Sequence, residues 1–146
     1  MDIAPRNPDF AADARASFTL QGIMETFRAE MIEIGLGRCI LAAPIRPEVS
    51  QQQGFAHAAL AFALGDSAGG YAALSLQEKG VDVLTSEMKI HLLAPAQGTR
   101  LVAEGSVLKP GRRLVIVRSD VFAETVGGRS LIATLLGTIV PVAPRG

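Results

Sequence analysis

Apolar positions crowd the middle of this chain. From about Ala56 to Lys79 they run nearly all round a helical projection, the pattern of a buried helix, and Gly80 offers a stop. Upstream, "SFTLQGIMETF" has the spacing of a short amphipathic helix that Ser17 would cap. "EMIEIGLGRCILAAPI" reads as one strand, bent or closely approached at Gly35 and Gly37, and "RPEVSQQQGF" as the loop that follows. Four further strands are predicted over 83–93, 100–109, 114–124 and 130–142, with Pro95, "KPGRR" and "TVGGR" as turns between them. "LTSEMKIHL" alternates with a period of two: Thr85, Glu87, Lys89 and His91 on one face, Leu84, Ser86, Met88, Ile90 and Leu92 on the other.

The order is helix, strand, long helix, then four strands joined by short turns. Such an order favours an α+β fold, an antiparallel sheet wrapped around one long central helix. Residues 1–16, with two prolines and mixed charge, read as a flexible lead-in, and 17–146 as a single domain.

Composition narrows the class. At 146 residues, 49% hydrophobic and 19% charged, the chain can bury a substantial core and is not a disordered tail. Basic and acidic residues balance, 14 against 14, so no global basic surface points to nucleic acid. A lone cysteine, Cys39, forms no internal disulfide, and Asp, Arg and Pro interrupt the N-terminus where a secretory signal needs an apolar run. A cytoplasmic protein is expected. The apolar stretch 58–76 is long enough to cross a bilayer, but Asp66 near its middle would cost about 2.5–3.5 kcal/mol there. No membrane association is expected.

Asp66 is the residue that needs explaining. It is the only formal charge between Glu48 and Glu78, and its neighbours are Ala, Leu, Phe and Gly. An ionised carboxylate is costly to take out of water without partners, so its place in a buried helix is either structural or functional. Other constellations fail on spacing. "GLGRCI" lacks the third glycine of a dinucleotide fingerprint. His57, His91 and Cys39 have no metal-ligand spacing, so no metal is expected. A Ser67–His57–Asp66 triad fails because the histidine lies nine positions from the acid along one helix.

The blocks "GFAHAALAFALGDSAGGYAAL", "LTSEMKIHLLAPA", "LVAEGSVLKPGRRL" and "LIATLLGTIV" together resemble the PaaI-type hotdog acyl-CoA thioesterases, over about residues 18 to 142. The resemblance implies hydrolysis of an acyl-CoA, aryl or medium-chain, to free acid and CoA, with coenzyme A as part of the substrate and no separate cofactor. It implies that Asp66 attacks the thioester or activates water. His57 and the backbone N–H of Ala58 would polarise the carbonyl, Gln51 would match an upstream amide, and Ser86 a polar residue that orients the acid or the water. Lys109, Pro110, Gly111, Arg112, Arg113 and Leu114 would match the coenzyme A contact, while Phe55, Phe62 and Leu64 would line the acyl pocket. One departure stands out: where many relatives read His-Gly-Gly, this chain reads His57-Ala58-Ala59. Alanine holds the backbone further from a ligand, yet the N–H donor survives.

The chemistry suits these residues. The first turn of a helix has unused N–H donors and a partial positive charge, which stabilise a thioester oxygen as it becomes anionic. A poorly solvated carboxylate is a better nucleophile or base. Spacing adds a constraint of its own. Ala58 and Asp66 are eight positions apart, roughly 12 Å along a helix. One chain cannot easily bring both to one carbonyl; two antiparallel helices across a homodimer can, and the resemblance implies that arrangement, as a dimer or a dimer of dimers. A hotdog hydratase or dehydratase and a non-catalytic acyl-CoA-binding module are the alternatives.

Overall fold

The computed structural model describes residues 4–144. Its elements are α1 (Phe10–Thr19), α2 (Gly22–Thr26), β1 (Glu30–Gly35), β2 (Arg38–Pro44), α3 (Ala58–Leu74), β3 (Asp82–Leu92), β4 (Arg100–Pro110), β5 (Val115–Thr125) and β6 (Gly128–Val142). One six-stranded antiparallel sheet runs in the order β1-β2-β4-β5-β6-β3, and α3 lies across one of its faces. The α+β expectation, a sheet wrapped around a long helix, holds.

Four local expectations change. The stretch read as one helix capped by Ser17 is the end of α1, with Ser17 inside it, followed by the separate helix α2. The lead-in is helical from Phe10, and its first three residues lie outside the described part. Buried Asn7 starts that helix: its side-chain Oδ1 accepts from Asp9 N–H at 3.0 Å, and its side-chain Nδ2 donates to Asp13 at 2.8 Å. The segment read as one strand is a hairpin, because Leu36 and Gly37 form a two-residue turn with Gly37 at φ 70°. The long helix stops at Leu74 rather than near Gly80. Ser75, fully buried, donates to the Ala72 carbonyl and accepts from Gly37 N–H, both at 2.7 Å, which ties the helix end to the β1–β2 turn.

The core lies between α3 and the inner row of the sheet, where Leu41, Leu101, Ala103, Val117, Val121 and Leu135 are all at most 1% exposed. Cys39 of β2 is sealed in it, and burial pushes its thiol up to about 12. The helix sits unusually low on the sheet. A Cβ on Gly105 of β4 would run into the backbone of Ala68, and one on Gly69 would come within 2.9 Å of a Val117 methyl.

Gly105→Ala is therefore expected to destabilise the fold by at least about 1–3 kcal/mol, the usual cost of overpacking, because backbone rather than a pliable side chain must move. Gly22→Ala, with open space around it, should be neutral or stabilising. Urea unfolding midpoints of the two variants check the contrast.

Candidate active site

Two polar sites lie along α3, one at its N-terminus and one at its centre. His57 is the N-cap residue, with extended backbone (φ −65°, ψ 146°), and its Nδ1 accepts from Ala59 N–H at 2.9 Å. That bond assigns Nδ1 as acceptor. Ala58 is the first helical residue, and its N–H has no acceptor among the described residues. His57 and Ala58 line a cavity of about 590 Å³ together with Gln51, Phe55, Leu92 and Pro95. Gln51 also closes its own turn: its side-chain oxygen accepts from Gln53 N–H, and its amide donates to Gln53 Oε1 at 3.3 Å.

Asp66 lies at the centre of α3, half-buried, on a stripe that the sheet does not cover. Ala59, Phe62, Ala63, Ser67 and Gly70 share that stripe. Burial pushes the Asp66 carboxyl above the usual carboxylate range, and a hydrogen bond from Thr85 pulls it partway back. Thr85 Oγ1 donates to Asp66 Oδ1 at 2.7 Å. Behind the acid, Ser119 of β5 stands in an otherwise apolar row, 1% exposed, and donates to the Gly65 carbonyl at 2.6 Å. The peptide unit leading into Asp66 is thus anchored to the sheet while its carboxylate is held by β3. Asp66 and Thr85 line a cavity of about 320 Å³ with Ser17, Gln21 and Tyr71.

Of the residues expected at the site, Gln51, Phe55, His57 and Ala58 come together; Asp66 does not join them. The hydroxyl beside Asp66 is that of Thr85, not Ser86. The period of two breaks at a bulge between Thr85 and Glu87, so Val83 and Thr85 face α3 before it and Met88 and Ile90 after it. Ser86 sits in that bulge, exposed and without a side-chain hydrogen bond among the described residues. Phe62 is 38% exposed and lines neither cavity, while Leu64 is fully buried in the core rather than in the pocket wall. The Lys109–Leu114 hairpin lies past the other end of α3, where Pro110, Gly111 and Arg112 line a small cavity with Leu76 and Gln77. Among the described residues no cluster of three or more His, Cys, Asp or Glu side chains forms, and no helix is long and apolar enough to cross a membrane.

This architecture has known counterparts. Residues 53–129 match the family model described as Thioesterase superfamily, and the chain belongs to that superfamily. A thioesterase family protein from Silicibacter pomeroyi is 37% identical and superposes with a TM-score of 0.90, over 92% of this chain and 98% of that one. PaaI of E. coli, from the phenylacetic acid degradation operon, shares the fold at a TM-score of 0.82 and 17% identity, over 93% and 95% of the two chains. BH2602 of Bacillus halodurans, solved with CoA, shares it at 0.74 and 23% identity, over 92% and 84%. The hotdog fold and the resemblance to PaaI-type proteins stand.

Because the folded state raises the Asp66 pKa, this group favours folding most in acid and loses that contribution as pH rises through the raised value. Thr85→Val should move the Asp66 midpoint further up, since it removes the one bond that lowers it. Ser86→Ala should leave it in place. A carbon-detected NMR titration of the Asp66 carboxyl reads both.

Proposed function

We propose that this protein is an acyl-CoA thioesterase that works as a homodimer, with each site shared between protomers. The α3 N-terminus of one chain, Ala58 N–H with His57 beside it, polarises the thioester carbonyl. The partner's Asp66 attacks the carbonyl carbon or takes a proton from the water that does so. The C–S bond breaks and the thiol of CoA leaves with a proton. On direct attack the acyl group is first held on Asp66 as a mixed anhydride that water then hydrolyses. On either route it ends as a free acid with Asp66 restored. Coenzyme A enters only as part of the substrate.

One observation carries this reading: the acid and the helix N-terminus line two cavities that share no residue. Reaction at a carbonyl needs its partners within about 3–3.5 Å, and eight positions of helix separate the two groups by roughly 12 Å. The uncovered stripe of α3 and the unpaired edge of β3 both flank Asp66, which suits a second copy laid antiparallel against the first. In such a pair the Lys109–Leu114 hairpin, past the C-terminal end of α3, comes to the side of the other chain's His57. Arg112 and Arg113 there suit the phosphates of CoA. The CoA in the Bacillus halodurans structure supports the ligand class through the fold alone. A single cysteine, which can form no internal disulfide, fits the reading of the protein as cytoplasmic.

The shared site makes a direct prediction. Asp66→Asn should lose at least about 10²–10⁴-fold in thioester hydrolysis, the worth of a general base. Ala58→Pro removes the N–H donor at a first helical position, where proline is tolerated, and the extended His57 suits a following proline. Co-refolded in equal amounts, these two inactive variants should give mixed dimers with one intact site each, and roughly a quarter of wild-type activity under random pairing. A verified heterodimer as inactive as its parents means each chain holds its own complete site.

Replacing Arg112 and Arg113 by Ala should raise KM for a CoA ester more than it lowers kcat, because contacts far from the reacting carbon are equal in ground and transition states. A truncated thioester without the nucleotide should be insensitive. Equal losses on both would assign the arginines to the fold instead.

A further inference from the structure

The face that α3 turns to the sheet is apolar, yet two strand side chains reach the helix with hydroxyls, and both arrive at one place. Along its 17 residues, the strand side chains that hydrogen-bond α3 are, among the described residues, Ser119 of β5 and Thr85 of β3. Ser119 donates to the Gly65 carbonyl and Thr85 to the Asp66 carboxylate, so the two bonds fall on adjacent residues. Tyr71, buried further along α3, is bonded by Gln21 and Ser17 of the N-terminal segment instead. A tie needed only for stability could fall anywhere along the helix. These two converge on the acid.

The packing around the Ser119 bond is shaped to admit it. Strand β6 lies between β5 and β3, and its Leu135 stands beside Ser119 in register. A Cβ on Gly65 would come within 2.6 Å of a Leu135 methyl, and one on Gly69, a helical turn later, within 3.3 Å of Ser119 Oγ. The two glycines open a notch in the buried face of α3, and the serine hydroxyl lies in it. Apolar packing is non-directional and sets how closely the helix lies. A hydrogen bond weakens steeply when bent, so this one sharpens the rotation and axial position of α3 one residue before the acid. The Thr85 bond, by contrast, comes from the edge strand at its bulge and is open to solvent.

We propose that Ser119 is a positioning residue for the hydrolysis: by pinning the Gly65 carbonyl to β5, it sets the rotation of α3 that keeps the Asp66 carboxylate on Thr85 and aimed at the thioester. The proposal rests on the acyl-CoA thioesterase reading above. Loss of the hydroxyl leaves the Gly65 carbonyl the partner that helix geometry gives it, so the fold survives while the carboxylate strays. Misplacing a reacting group by about 1 Å can cost about a hundredfold in rate. Ser119 lines neither the Asp66 cavity nor the one at the helix N-terminus, so ester binding is left alone.

The test sets Ser119→Ala against Val121→Ala, two buried positions of one β5 row. With phenylacetyl-CoA and octanoyl-CoA as substrates, Ser119→Ala should lower kcat by about ten- to a hundredfold, with KM within about twofold of wild type. Its Asp66 carboxyl midpoint, read by carbon-detected NMR, should move up, because the Thr85 bond that lowers it is loosened. Asp82 and Tyr71 are the other titratable groups lining that cavity, and both variants keep them. Val121→Ala opens a larger hole, and should lower the melting temperature at least as far while leaving kcat and the midpoint near wild type. Should the alanine variant fail to fold, Ser119→Cys, close in size but a weak donor, is expected to show the same losses. An unmoved Asp66 midpoint in a folded Ser119 variant overturns the proposal alone, and so does an equal shift in Val121→Ala. Thiol release from neither ester by the wild type overturns the thioesterase reading instead, a result on which the titration does not depend.

Discussion

Everything in this molecule hangs on how closely one helix lies against one sheet. The α3 backbone at Ala68 rests on the β4 backbone at Gly105, where no side chain fits between them. Close-packed interiors tolerate little displacement, so that contact fixes the height and azimuth of the helix. Small residues on the sheet-facing side are what such proximity demands. The opposite stripe of the helix is left uncovered as a consequence, and Asp66 lies on it.

The acid is held from two directions. Ser119 grips the carbonyl just before it, and Thr85 grips the carboxylate from an edge strand. Partial burial disfavours the charged form, and the Thr85 bond favours it. Raised basicity from burial, opposed by a hydrogen bond to the charged form, suits general-base or nucleophilic chemistry. The helix N-terminus, by contrast, is shaped by capping: His57 satisfies one N–H and leaves its neighbour open.

Much of this was legible in the amino-acid order. The four C-terminal strands and the buried helix announce themselves through periodicity, and the isolated acid through the cost of its surroundings. What escaped were features that depend on a single residue of register. A hairpin turn of two residues hid inside an apolar run, since Leu36 and Gly37 look like strand until the chain reverses. A bulge exchanged Thr85 for Ser86, because an inserted residue flips every later side chain to the other face. The Asn7 side chain turned an apparent lead-in into helix. Tyr71, Ser17 and Gln21 meet only because the N-terminal helices dock on α3, and nothing in their spacing foretells it.

The sealed core has a practical side. Cys39 is the only thiol in the chain, fully buried, with its ionisation pushed up to about 12. Thiolate, not thiol, attacks disulfide reagents, so at neutral pH the folded protein is silent toward a chromogenic disulfide. Any colour that develops then counts mercaptan liberated from a substrate, with no background from the polypeptide. The same silence makes the chain a blank for spectroscopic tagging. A cysteine introduced on the surface would be its one reactive handle, so a spin label or fluorophore could be attached there without first removing the native sulfur.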